Sequence, residues 1–266
     1  MAALERTLTR KTVAGYAIGS LGTGGFATLP GLVLIYFLTD TLGVAAIAAG
    51  ALVTVAKIWD VIIDPVIGAR SDHSLAATGS RRRFMVLGSL LLPVFFILTF
   101  AVPAGLPAAV SGAWVLVAFV LTATGFSLFQ VPYIALPAEL VGSYEQRTRL
   151  LSWRVVVLTF AILLFGAGGP ALRQLGGSNE HLGYLLMAVV AGILIGVGMF
   201  ISSFTAPRDA ALTTRPTQGS IRDNYAAGIM ALRRSQPFVR CCSPSCCRVS
   251  RPVSCSAAHN MSPPGC

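Results

Sequence analysis

The sequence predicts an all-α membrane protein, a six-transmembrane-helix bundle, and three observations carry that prediction. Of the 266 residues, 55% are hydrophobic and only 11% charged, whereas a soluble domain carries about 25% charged residues. The mean hydropathy is +0.74. The few charges fall between long apolar runs, and each run is long enough to cross the roughly 30 Å hydrocarbon core as a helix, which satisfies its own backbone in lipid.

The first run, 13–38, follows Arg10 and Lys11 and is too long for the apolar stretch of a cleaved leader, so it is expected to be retained as a span. It carries Gly15, Gly19, Gly22, Gly24 and Gly25, and the Gly15-x-x-x-Gly19 spacing lets two helices approach closely. The next runs lie at 44–68, 84–104, 108–135, 150–172 and 182–204. Pro132 and Pro137 in the fourth, and Gly168-Gly169-Pro170 in the fifth, are expected to bend or break their helices.

Charge sorts the connections. Arg6, Arg10 and Lys11 precede the first span; Arg70 and Arg81-Arg82-Arg83 separate the second from the third; Arg147 and Arg149 separate the fourth from the fifth. Arg208, Arg215, Arg222, Arg233 and Arg234 follow the sixth, while the alternate loops are nearly bare. That alternation places the N-terminus in the cytoplasm. The expected organisation is a cytoplasmic N-terminus at 1–12, the bundle at 13–204, a cytoplasmic loop at 205–238 and an aberrant tail at 239–266. A net charge of +10 by itself suggests nucleic acid, but these basic residues sit where topology needs them, so nucleic-acid binding is not expected.

Within the second span, Lys57, Asp60 and Asp64 stand at i, i+3 and i+7 on one helical face. An ionised side chain at the centre of a membrane helix costs about 2.5–3.5 kcal/mol on the insertion scale, so the cluster needs a partner, a bound ion or water. Asp64 lies roughly 12 Å to the cytoplasmic side of the middle of the span, where an interfacial carboxylate or an ion pair with Arg154 is the alternative. Beyond it, Asp72 and the three consecutive arginines are either plain topology signals or parts of a cytoplasmic latch.

All six Cys residues fall between Cys241 and Cys266, where apolar periodicity stops. Adjacent Cys pairs fit zinc spacing poorly, so no metal site is expected. Shifted by one base, CTG leucine codons read TGC, which is Cys. The tail is therefore expected to be a frameshifted product, beginning near codon 239 where a further apolar helix would otherwise start.

The string Gly15-Tyr16-Ala17-Ile18-Gly19-Ser20-Leu21-Gly22, Lys57-Ile58-Trp59-Asp60 with Asp64-Pro65 and Gly68, and Val131-Pro132-Tyr133 with Glu139-Leu140 and Glu145-Gln146-Arg147-Thr148-Arg149 resemble one family. It is the glycoside-pentoside-hexuronide:cation symporter family, typified by the melibiose permease, within the major facilitator superfamily. The resemblance spans roughly residues 10–238. It implies that the bundle is half of a twelve-helix major facilitator fold, with a sugar or related solute and a coupling Na⁺ or H⁺ held between the halves.

Carried over by position, the resemblance gives Asp60 and Asp64 cation binding, Thr23, Gln130, Tyr133 and Arg154 substrate binding, and Asp72, Arg81 and Arg82 cytoplasmic gating. Two positions depart from the family: Thr23-Gly24 and Gln130 stand where it has carboxylates, and a neutral Gln hydrogen-bonds a hydroxyl without holding a cation by charge.

The expected function is the N-terminal half of a cation-coupled symporter, inactive alone, in the inner cell membrane. Its expected partners are membrane lipid, a small-molecule solute and a second six-helix half, with no cofactor beyond the coupling ion. The alternatives are transport of lipid or another solute, or a non-transporting assembly subunit. An enzyme is not expected: His73, His181 and His259 are isolated, and neither His-Glu-x-x-His nor Gly-x-Ser-x-Gly occurs.

Overall fold

The computed structural model describes residues 9–103, 105–141, 143–177 and 179–206. The expected loop beyond 206 and the expected tail at 239–266 lie outside the described residues, as do the first eight positions. Among the described residues six helices are long and apolar enough to cross a membrane. They are α1 (Arg10–Thr41), α2 (Ala46–Thr78), α3 (Arg82–Phe100), α4 (Ala108–Leu140), α5 (Tyr144–Gln174) and α6 (Glu180–Ser203).

α2 runs well past the apolar stretch, to Thr78, because its polar continuation still favours helix. It stops where Gly79 takes a left-handed conformation (φ 67°) and its N–H caps the Leu75 carbonyl at 2.8 Å. The prolines expected to bend or break α4 and α5 do not break them: Pro132, Pro137 and Pro170 all lie inside continuous helices. The interruption falls in α1 instead. Its α-helical turns part at Gly19, between Arg10–Ile18 and Ser20–Leu29, and then widen into π turns over Pro30–Leu34 and Phe37–Thr41. The first π turn begins at Pro30, which has no N–H to offer the Phe26 carbonyl, so the hydrogen-bond register changes there.

α3 packs against α4 and α6, α1 against α5 and α6, and α2 against α4. The glycines of α1 set its approach. A side chain at Gly15 would meet Thr205 Oγ1 at 2.6 Å, one at Gly19 Tyr133 Cε2 at 2.7 Å, and one at Gly25 Ile195 at 2.7 Å. Gly22 lies directly against Met199, and Gly24 faces Ala161 of α5. Close packing is therefore what the glycine pattern encodes.

The outer helices differ from this centre. α2 and α5 each bury only 17% of their most apolar window, against 56% for α1, so both present long apolar faces outward. Around the core, Phe37 is tilted against Tyr184 and Phe100 (centroids 4.8 and 5.2 Å), and Phe26 stacks on Phe126 at 4.4 Å.

Gly22→Leu is expected to destabilise the bundle by about 1–3 kcal/mol through overpacking. Gly50→Leu, with nothing within 4 Å of the position, is the neutral control. Thermal unfolding of the purified protein in detergent reads the difference.

Candidate functional site

On α2 the face predicted to carry charge does so, with its three members in different states. Lys57 Nζ lies 3.3 Å from Asp60 Oδ2, and the Lys57 side chain is 63% exposed against 18% for Asp60. The Lys57 ammonium also sits 5.9 Å from the centroid of the Phe26 ring on α1. The other oxygen of Asp60, Oδ1, is buried without a hydrogen-bond partner, and so is Oδ1 of Asp64. Trp59 anchors this stretch by donating from Nε1 to Thr124 Oγ1 of α4 at 2.9 Å. Among the described residues no group of three His, Cys, Asp or Glu gathers, and the carboxylates on this face of α2 are Asp60 and Asp64.

One turn along α1 from Phe26, Thr23 donates its hydroxyl to Gln130 Oε1 of α4 at 2.8 Å, in a half-buried setting. Thr23 and Gln130, the two positions that the resemblance singled out as departures, are thus in direct contact. Both groups are neutral, so the pair leaves the Gln130 amide N–H groups to give and holds no net charge.

Tyr133 is fully buried. Its hydroxyl donates to the Tyr16 carbonyl at 2.8 Å and lies 3.0 Å from Ser20 Oγ, either side of the interruption at Gly19. Its ring stacks on Tyr16 at 4.6 Å, and the Arg154 guanidinium of α5 sits 5.1 Å from its centroid. Tyr133 therefore fastens α4 to the interrupted turn of α1 and offers its ring face to Arg154. Arg154 forms no ion pair with Asp64, nor any other among the described residues.

A second cluster lies at the end of the bundle where α2 stops and α3 begins. Arg81 is bonded to three groups at once: Asp72 Oδ1 at 2.5 Å, Glu139 Oε1 of α4 at 2.6 Å, and Ser71 Oγ at 2.8 Å. Arg81 and Glu139 are 12% and 13% exposed, whereas Asp72 is 58% exposed, so the Arg81–Glu139 bond is the dry one. Arg82 takes no part and lies 4.0 Å over the ring of Phe204.

In the sequence Glu139, Tyr16 and Ser20 stand out only as parts of motifs, and Ser71 has no expected role. Glu139 had a signal: it is the one acidic residue in α4, at its polar end. Ser20 and Tyr16 had none, because small or aromatic residues in a membrane helix read as packing.

An apolar six-helix bundle with carboxylates, a guanidinium and amides held among its helices is the architecture of a polytopic membrane transporter. Residues 15–241 match the MFS/sugar transport protein family, and the chain belongs to it. It is 26% identical over 217 residues to the putative glycoside/cation symporter YagG of Escherichia coli (strain K12), covering 81% of this chain and 47% of that protein. It is 26% identical over 250 residues to the glucuronide carrier protein homolog of the same organism, covering 92% and 52%. An uncharacterized symporter of Synechocystis sp., sll1374, is 33% identical over 175 residues, covering 61% and 32%. The chain spans about half the length of the two Escherichia coli relatives. These matches bear out the resemblance to glycoside-pentoside-hexuronide:cation symporters and its restriction to their N-terminal half.

Glu139→Gln is expected to cost about 1.5–3 kcal/mol, because it removes the drier of the two carboxylates paired with Arg81 while Asp72 remains. Asp72→Asn costs at most about 1 kcal/mol, since that carboxylate is mostly in water. Chemical unfolding of the two variants, with Arg81→Gln to close the cycles, measures both couplings.

Proposed function

We propose that this chain forms the N-terminal half of a Na⁺- or H⁺-coupled symporter for a sugar or related solute, in the cell membrane with its N-terminus in the cytoplasm. The observation that carries the proposal is the pair of buried, unpartnered carboxylate oxygens on Asp60 and Asp64. Two acceptors without donors inside an apolar bundle are costly unless a cation or a proton occupies them. Lys57 competes for Asp60 from an exposed position, so a cation entering the site displaces a salt bridge that is only partly desolvated.

In this reading Arg154 and the Thr23–Gln130 pair face the solute. Arg154 gives fixed, planar donors suited to sugar hydroxyls or a hexuronide carboxylate. Gln130 gives amide hydrogens. Tyr133 positions Arg154 rather than touching the solute, and the Arg81 cluster with Asp72 and Glu139 acts as the cytoplasmic gate. A second six-helix unit, seated on the outward apolar faces of α2 and α5, completes the pathway, and this half is inactive without it. The names of the relatives, a glycoside/cation symporter and a glucuronide carrier homolog, support a glycoside or hexuronide as solute.

The test is uptake of labelled glycosides, pentoses and hexuronides by vesicles carrying this chain alone or joined to a second six-helix half. Uptake by the joined form only, with Asp60→Asn or Asp64→Asn weakening apparent cation affinity about ten- to hundredfold, is the expected result. Correct insertion with no uptake under either a Na⁺ or a proton gradient would overturn the sugar assignment and direct the search to lipid or another solute. Loss of association with the second half in Asp60→Asn, with no change in uptake per assembled complex, would favour the assembly-subunit alternative.

A further inference from the structure

Of the three consecutive arginines at the start of α3, only Arg81 is neutralised by an ion pair among the described residues. Among the described residues Arg82 and Arg83 form no ion pair. Both line a groove of about 550 Å³ between the end of α2 and the first turns of α3. The groove has a polar end and an apolar end. At the polar end, with Arg83 and with Arg82, whose guanidinium also lies over the Phe204 ring, are Thr78 and Ser80; no carboxylate lines it. Ser80 Oγ accepts from the Arg82 N–H at 3.2 Å, which leaves the Ser80 hydroxyl proton to give. At the apolar end are Val86, Leu87 and Leu90.

The apolar end continues down the outside of α3. Arg83, Leu87, Leu90 and Val94 stand at i, i+4, i+7 and i+11, one stripe of the helix. Leu87, Leu90 and Val94 are 48%, 55% and 60% exposed. From Arg83 to Val94 the stripe rises about 16 Å, close to half of the roughly 30 Å hydrocarbon core. A topology signal needs only basic residues near a span end. It needs neither a groove nor an apolar track one leaflet long.

We propose that this groove binds an anionic phospholipid, its phosphate held by Arg82, Arg83 and the Ser80 hydroxyl and an acyl chain laid along Leu87, Leu90 and Val94. The length of the track selects lipid over a soluble phosphate, which would use only the polar end. The site requires only that this end of α3 lie at a membrane surface, so it is independent of solute, coupling ion and sidedness.

Native mass spectrometry of the purified chain, released from detergent with phosphatidylglycerol or phosphatidylcholine, tests the proposal. The expected result is selective retention of phosphatidylglycerol, undiminished by glycerol 3-phosphate. Retention should fall about thirtyfold in the double variant Arg82→Gln, Arg83→Gln, and remain unchanged in Arg147→Gln, Arg149→Gln at the other basic loop. Leu87→Ser with Leu90→Ser should also weaken it. Equal retention of the two lipids by the unaltered chain would overturn the proposal and needs no variant to fold. Equal loss from both arginine pairs would reduce the effect to general basicity and overturn it too. Displacement of the lipid by glycerol 3-phosphate, with the leucine variant unaffected, would assign the groove to a soluble phosphate ester instead.

Discussion

The close approach of α1 to its neighbours is the constraint on which the other contacts depend. Gly15, Gly19, Gly22 and Gly25 turn toward α6 and its end, where Thr205, Met199 and Ile195 occupy the space that side chains would need. In lipid, apolar side chains gain little by leaving their solvent, so helices associate through dispersion contacts and hydrogen bonds at short range. Because α1 is bare on this side, it comes near enough for Tyr133 of α4 to reach the Tyr16 carbonyl and for Thr23 to reach Gln130. A bulkier α1 would separate those pairs and leave buried donors and acceptors without partners.

The polar groups inside the bundle divide into two kinds. At one end Arg81 satisfies Glu139, Asp72 and Ser71 together, a closed network in which each member has a partner. On α2 the arrangement is open: Asp60 spends one oxygen on Lys57, and the remaining oxygen, like one of Asp64, has nothing to accept from. A closed network fixes a geometry, whereas an open one leaves buried acceptors that cost free energy until something occupies them. The contrast between these two clusters separates a self-satisfied contact between helix ends, the proposed gate, from the proposed ion site, even though both consist of carboxylates and a basic residue.

The interruption of α1 gives the same lesson for backbone. Pro132, Pro137 and Gly168-Gly169-Pro170 were expected to bend or break their helices, yet α4 and α5 run through them unbroken while α1 parts at Gly19 and widens from Pro30. Proline removes one hydrogen bond, and a long helix packed on several sides tolerates that loss. At Gly19 the departure is reinforced, because Tyr133 supplies a side-chain donor to the carbonyl of Tyr16 one turn earlier.

The number of spans, their order, the charged face of α2 and the packing role of the α1 glycines were determined by the sequence alone. Lipid makes these properties local: each span must be apolar over about 20 residues and satisfy its own backbone, and each intramembrane charge stands out against that background. Three things were decided only by the tertiary structure: that Arg81 rather than Arg82 meets Asp72, that Glu139 joins them, and that Arg154 rests on Tyr133 instead of pairing with Asp64. A partner across helices depends on how far each helix is rotated and how closely it approaches. A rotation of one residue, about 100°, turns a side chain from one neighbour to another without changing the hydropathy pattern that defines the span.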